Sequence, residues 1–363
     1  MTEKVSNPAG PPTATANQPS RRPTIRDVAR AASVSTVTVS RVVNATALVR
    51  RETRERVEAA MARLGYVPNA AARSMRTNLS RSIGCLVPDL VNFPNAAIAQ
   101  AAERHLAGAG YALLLASSDY GPAIELRAIE ALVAQGIDAL MLYVSDETTP
   151  GLADLLARID VPCLVLDRRL PVDADRLLSD HATAMHAAVA YLAGLGHRRL
   201  ALLVPALRIR PVTERIAAFA GAGSETGLAA ADLSVVEVAP DEAGRLRAAQ
   251  ELLAAADRPT AVLADGSRQV RALLAAARLQ GLAIPDQLSV IGLDAADIAT
   301  VTTPELTTVN RDYAAIGRLA AELLLDRLAD PGAARRRLLL ASEVVLRGSC
   351  APPPGPAAAA RHD

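Results

Sequence analysis

The chain has 363 residues, 51% of them hydrophobic, with three cysteines, no tryptophan and a formal net charge of +1. That length suits two or three domains with a sizeable core. No run of about 20 apolar residues offers a membrane span, and no apolar segment at the start marks a secretory leader, so a cytoplasmic protein is expected. Cys85, Cys163 and Cys350 are scattered without a CxxC pair, and the five histidines lack ligand spacing. No disulfide frame, metal site or cofactor is therefore expected.

The near-neutral total conceals an asymmetry. Residues 20–82 hold thirteen arginines against four acidic residues, a net +9 that leaves the remainder near −8. A basic head on an acidic body points to a polyanion as the partner of the head alone.

Residues 1–22, rich in Pro, Ala, Thr and Ser, read as a disordered tail. Residues 23–67 read as three short helices. Thr24 caps the first, with Asp27 three residues on in a capping-box arrangement, and Ile25, Val28 and Ala29 form its apolar face. Ser35 caps a second helix from Thr36 to Val43, with Val39, Val42 and Val43 inward. A third runs from Glu52 to Leu64, carries Val57, Ala60, Met61 and Leu64 on one face, and is stopped by Gly65. Helix, tight turn, helix is the pattern whose second helix enters the major groove. Its outward residues are Thr36, Val37, Thr38, Ser40 and Arg41. Arg41 can bridge guanine O6 and N7, and Thr36 and Val37 can offer methyl contact to thymine. The Ser35, Thr38 and Ser40 hydroxyls suit phosphates. A plain three-helix bundle with a polar second helix would give the same pattern.

Residues 68–81 follow as a short helix and linker, opening PNAAARSMRT. Barely two turns long, that helix is marginal alone in water, yet it sets the apolar Met75 between Arg73 and Arg76. From Ser82 strand and helix alternate. IGCLVPD, ALLLASSD, ALMLYVSD, CLVLDRR, ALLVPA, AVLADG and LSVIGLD are strand-length apolar runs, and helices are predicted over 96–109, 123–135, 183–194, 243–256 and 268–281. Such alternation means parallel sheets with crossover helices, here an α/β body of two doubly wound lobes over residues 82–349. Ligands in such sheets bind beyond the carboxyl ends of strands. Asp89, Asp119, Asp146, Asp167 and Asp294 stand at those ends, where each could equally cap a helix or a turn. Residues 350–363 read as a second disordered tail. GAGSETG at 221–227 has GxGxxxG spacing with no strand leading into it, and no GxSxG or P-loop occurs, so no enzyme is expected.

TIRDVARAASVSTVTVSRVVN, ETRERVEAAMARLGYVPNAAARSMRT and RSIGCLVPDLVN together resemble the lactose-repressor (LacI/GalR) family of bacterial transcription regulators. The likeness continues through VPCLVLDRRLP, LAGLGHRRLALL, PTAVLAD, IPDQLSVIGLD and TPELTTV, from Pro23 to Ser349. The resemblance implies an N-terminal all-α helix-turn-helix head plus hinge helix, then two doubly wound parallel-sheet lobes of the periplasmic-binding-protein-like type, paired as a homodimer or a dimer of dimers. It implies a sequence-specific regulator of transcription, a repressor, whose affinity for operator double-stranded DNA is set by a small-molecule effector, a sugar or other metabolite, held between the lobes. Its place is the nucleoid.

Thr24 and Asn44 complete the expected DNA-contacting set. The resemblance further implies that Met75, where the family usually has Leu, wedges the minor groove as apolar side chains do, with Arg73 and Arg76 at phosphates or in the narrow groove. Arg215, four residues before an aromatic in TERIAAF, matches the family's effector-contacting arginine, and Asp294 matches a ligand-bonding residue. Phe93 survives, displaced by one place, from the family's aromatic pair. Arg168 and Asp146 join them as strand-end candidates. Asp and Arg in one cleft suit vicinal hydroxyls or a carboxylate. DGS at 265–267 departs from the family's usual Asn-Asp, and a chain with two Phe and no Trp builds an atypical sugar pocket. The Arg-Ile-Arg of 208–210 reads as an anion-recruiting segment or a solvated loop. The alternative, a solute-binding protein of a transport system, fits the body but not the basic head.

Overall fold

The computed structural model describes residues 23–43, 49–67 and 79–355. They belong to two units, Met1–Asn78 and Leu79–Asp363.

The first unit contains α1 (Ile25–Ala31), α2 (Thr36–Val43) and α3 (Arg51–Leu64). The Asp27 carboxylate accepts the Thr24 N–H at 2.9 Å and the Thr24 hydroxyl at 2.6 Å, which fixes the start of α1. Ser33, at φ +54°, turns the chain, and the Ser35 hydroxyl oxygen accepts the Thr38 N–H at 3.1 Å to start α2. Gly65, at φ +62°, ends α3 in the left-handed conformation that glycine adopts without a Cβ clash. Val28, Val39 and Val57 are fully buried, and Ala29, Ala32, Val42 and Ala60 nearly so. Each buried valine contributes about 1.5–3 kcal/mol, and the set holds the polar face of α2 outward.

The second unit is built on two six-stranded sheets. The N-lobe comprises β1 (Ser82–Val87), α4 (Phe93–Gly108), β2 (Ala112–Ser117), α5 (Pro122–Ala134), β3 (Ala139–Leu142), α6 (Leu152–Leu156), β4 (Cys163–Leu166) and β5 (Asp175–Ser179). The chain then crosses into the C-lobe. That lobe comprises α7 (His181–Gly194), β6 (Leu200–Pro205), α8 (Arg210–Glu225), β7 (Leu233–Val238), α9 (Glu242–Ala254), β8 (Ala261–Asp265), α10 (Ser267–Leu279), β9 (Ser289–Leu293) and β10 (Thr307–Arg311). It returns through α11 (Tyr313–Ala329), which packs on α4, adds β11 (Arg337–Leu340) beside β5, and crosses once more at Ala341 to β12 (Ser342–Val345). The strand orders are β11-β5-β4-β3-β1-β2 and β12-β10-β9-β8-β6-β7. The two crossings that open helices are capped alike: Asp180 accepts the Thr183 N–H at 3.0 Å and Asp312 the Ala315 N–H at 2.9 Å.

β1, β3, β8 and β9 are buried along nearly their whole length, as strands covered by helices on both faces must be. The N-lobe sheet is parallel throughout. The C-lobe sheet is parallel except for β12, which pairs antiparallel with β10 at the edge, so both lobes are the doubly wound parallel sheets expected, one with an antiparallel edge strand. Two boundaries also move. Ser80 and Arg81, expected in the hinge linker, donate their N–H groups to Asp138 at 2.7 and 2.8 Å and so join the N-lobe. Residues 350 and 351, expected in a disordered tail, are held: Cys350 Sγ lies 3.4 Å from the Val290 carbonyl, and the Ala351 carbonyl lies 2.9 Å from His197 Nε2 and 3.0 Å from the Ser289 hydroxyl that donates to it. GAGSETG lies at the end of α8, where Gly227 turns the chain at φ +74°. No described helix is long and apolar enough to cross a membrane.

Candidate functional site

Two sites are built by these units, and each is described within its own unit. On the head, Ser35, Thr36, Val37 and Arg41 are exposed, and Thr38 and Ser40 are half-buried. Val37 is 58% exposed, an apolar side chain that the core does not use. The Ser35 and Thr38 hydroxyls lie 2.9 Å apart, and the Thr24 hydroxyl donates to Asp27. Six of these side chains therefore stand on or beside one helix, while Thr24 caps another. Asn44, Arg73, Met75 and Arg76 lie outside the described residues.

In the body, a cavity of about 520 Å³ opens between the lobes at the carboxyl ends of the strands. Pockets of this size take small molecules. Its N-lobe wall includes Phe93 at the start of α4, Tyr120 beyond β2, Tyr143 beyond β3 and Arg168 beyond β4; its C-lobe wall includes Arg215 on α8, Asp265 ending β8 and Asp294 beyond β9. Phe93 meets Tyr313 edge-on, ring centroids 5.6 Å apart. Asp167 and Asp294 both adopt φ +50° where their strands end. Asp, like Asn, is among the non-glycine residues that tolerate that conformation, and it ends each strand where the carboxylate meets the cleft.

The carboxylates and guanidiniums form a buried ladder. Arg215 reaches Asp265 Oδ1 at 2.5 Å and Asp294 Oδ2 at 2.6 Å. Asp294 Oδ1 accepts from Arg311 Nε at 2.9 Å and from the Tyr313 hydroxyl at 3.0 Å. Arg311 continues to Asp167 Oδ2 at 3.2 Å, and Arg210 holds Asp167 Oδ1. Arg210 also pairs with Glu214 at 2.7 Å, and Glu214 with Arg169 at 2.8 Å. Asp167 belongs to the N-lobe and both arginines that grip it to the C-lobe, so the ladder ties the lobes together behind the cavity. A further tie joins Asp89 of the N-lobe to Arg268 of α10.

Burial alone would raise the Asp167 and Asp294 carboxyls. Outweighing it, His181, Arg311 and Arg210 hold Asp167 well below the usual carboxylate range, and Arg311 and Arg215 do the same for Asp294. Burial opposes the charge on Arg215 as well, but Asp265 and Asp294 keep it firmly protonated. Burial, then Asp294, pushes the Tyr313 hydroxyl up, so it serves as a donor.

Of the five expected effector residues, Phe93, Arg168, Arg215 and Asp294 line the cavity. Asp146 does not: its Oδ1 accepts the Thr148 N–H and hydroxyl, both at 2.7 Å, which makes it a turn residue. Arg210 is not in a solvated loop but 4% exposed on Asp167. Arg311, His181, Tyr143 and Tyr313 were not singled out in the sequence. The only available signal was position, since each stands within three residues of a strand end.

Residues 24–69 match the family model described as bacterial regulatory proteins, lacI family, and residues 189–350 that of a periplasmic binding protein-like domain. The chain is 31% identical over 316 residues to the HTH-type transcriptional repressor PurR of Photobacterium profundum, covering 86% of this chain and 94% of that one. It is 36% identical over 308 residues to the HTH-type transcriptional regulator GalS of Salmonella typhimurium, covering 84% and 90%. Among solved structures, the lac repressor dimer bound to operator and the anti-inducer ONPF matches with a TM-score of 0.81 at 27% identity, over 91% of this chain and all of that one. A complex of the transcriptional regulator CelR with cellobiose matches with a TM-score of 0.67 at 28% identity, over 90% of this chain and 100% of that one.

Proposed function

This chain belongs to the lacI family of bacterial regulatory proteins, and from that premise we propose how its residues carry the family's work. The protein is a DNA-binding transcriptional repressor that acts on operator DNA under the control of a small-molecule effector, as a homodimer or a dimer of dimers. In our reading, α2 enters the major groove. Arg41 reads a guanine, Thr36 and Val37 meet thymine methyl groups, and Ser35, Thr38 and Ser40 position the helix on phosphates. Arg73, Met75 and Arg76 form the minor-groove wedge of the hinge. Arg215 and Asp294 face the effector, with Phe93 and Arg168 on the opposite lobe. Nothing in this division of labour calls for catalysis, and the protein works where the DNA is, at the nucleoid in the cytoplasm.

The observation that carries the effector reading is the clasp of Asp167 by Arg210 and Arg311 beside an open cavity. A molecule seated there contacts both lobes, and its binding free energy biases how they close. If closure in turn biases the operator-bound arrangement, the two sites are coupled as allostery requires.

The reading is tested on duplexes selected from a random pool by the full-length protein. Arg41→Ala is expected to lower the preference for the selected duplex over a scrambled one by roughly 5- to 150-fold, the worth of one bidentate base contact. Most nonspecific binding should remain. Failure of the wild-type protein to select any duplex overturns the reading as a whole. An unchanged preference in Arg41→Ala removes the base-reading role of that residue.

A further inference from the structure

The buried arginines of the cleft fall into two kinds. Arg210, Arg215 and Arg311 each touch two carboxylates. Arg168 is as deeply buried, at 3% exposed, and touches none. Its Nε donates to the Val144 carbonyl at 2.7 Å, its Nη1 to the Asp167 carbonyl at 3.0 Å, and its guanidinium lies 4.3 Å over the ring of Tyr143. Its Nη2 donates to no described protein atom, and the side chain lines the cavity. Glu125, an acid that feels its charge but makes no ion pair with it, has Oε2 engaged by the Ser145 N–H at 2.6 Å and hydroxyl at 2.8 Å, while its buried Oε1 has no partner among the described residues. A cation out of water with neutral partners only is an unfavourable arrangement unless a counter-charge arrives.

A second polar atom stands open on the facing wall. Asp265 is 7% exposed; its Oδ1 is taken by Arg215, and its Oδ2, also buried, has no partner. The cavity therefore offers one uncompensated donor cation on the N-lobe and one unfilled acceptor on the C-lobe. Elsewhere on the lining Arg245 and Arg271 stand with Asp119 and Asp297, and Arg268 is paired with Asp89, so the excess positive charge of the wall is that of Arg168. An unbalanced positive charge draws anions.

Resting on the reading of the cleft as the effector site, we propose that the effector is an anionic, hydroxyl- or amine-bearing metabolite. Its carboxylate or phosphate binds Arg168, and its donor group fills Asp265 Oδ2. A neutral sugar satisfies the second requirement and leaves the first unmet. A sugar acid or a sugar phosphate satisfies both and bridges the lobes through opposite chemistries.

The test uses the full-length protein with D-glucose, D-gluconate and D-glucose 6-phosphate as probes, read by thermal shift and calorimetry. Gluconate, glucose 6-phosphate or both are expected to raise the melting temperature where glucose does not, and the stronger of the two distinguishes carboxylate from phosphate. Arg168→Gln should weaken that probe roughly 10- to 100-fold, the worth of a charge-assisted hydrogen bond, and should reduce the dependence of its binding on salt. Asp265→Asn should weaken it less and should not reduce the salt dependence, because Arg168 remains and a carboxylate has been removed. A cooperative urea melt and an unchanged circular-dichroism spectrum report that Arg168→Gln is folded. The proposal is overturned if neither anion stabilises the wild type, if glucose binds as well as the anions, or if Arg168→Gln leaves affinity and salt dependence unchanged. In each of those cases retained operator binding by the wild type leaves the regulatory reading standing.

Discussion

On the Asp167 carboxylate four donors converge: His181 Nε2 at 2.8 Å, Arg311 at 3.2 Å, the Ser179 N–H at 3.2 Å, and Arg210. None of the three side chains was legible as its partner, because they stand 14, 144 and 43 positions away and each reads locally as a polar surface residue. Arg215 and Asp294 were legible only because short motifs carry them. The cluster makes a prediction for acid. Burial holds the His181 imidazole below its usual 6.5 despite Asp167. The unfolded chain therefore takes up that proton first, and stability falls as pH drops below about 6.5 toward the lowered folded value. Asp167 and Asp294, lowered from 3.8, contribute stability above 3.8 that is lost only as pH falls through their own depressed values. Within the histidine window the buried Glu125 works the other way, since burial raises its carboxyl above 4.5 and the folded chain takes up that proton first. Urea melts of His181→Gln at pH 7.5, 6 and 5 should lose less stability than wild type. Some slope should remain, because burial lowers His197 as well. Equal slopes would remove His181 from the account.

Among the elements, legibility followed unbroken apolar composition: β2, ALLLAS, was legible although half-exposed, and β10, TTVNR, was not although buried. β1, β3, β4, β8 and β9 are apolar runs ending in polar residues, and a helix-covered parallel sheet demands that pattern. β5, β7, β10, β11 and β12 escaped notice. β5 begins with Asp175, which is neutralised by Arg327 at 2.9 Å across 152 positions. β7 and β12 are edges, and β11, exposed at alternate residues, does not read as core. α11 shows how close two helices can come when a side chain is missing. A Cβ on Gly317 would lie 2.3 Å from the Ile98 carbonyl oxygen and 2.8 Å from the Ala102 nitrogen, so α4 would have to move. Gly108, on α4 itself, has nothing within 4 Å of the same added atom. Gly317→Ala should therefore lose about 1–3 kcal/mol or more in denaturant melts. Gly108→Ala should be neutral or gain up to about 1 kcal/mol. Equal effects would mean that the α4–α11 contact yields without cost.

At the scale of the molecule, the division into a head and a two-lobe body was legible from charge and from the change in periodicity at Ser82. The route of the chain within the body was not, because crossings at Asp180, Asp312 and Ala341 leave no local mark beyond a helix cap. Residues 79–363 expressed alone should fold, melt cooperatively and leave operator DNA unretarded in gel shift; retardation by that fragment would place DNA-reading residues in the body. The route has one more consequence, on the ribosome. The last strand of the N-lobe sheet, β11, is made only after every parallel strand of the C-lobe, so β5 waits as an open edge through most of synthesis. A nascent chain released early keeps that edge bare, and bare edges are what aggregation and proteolysis act on.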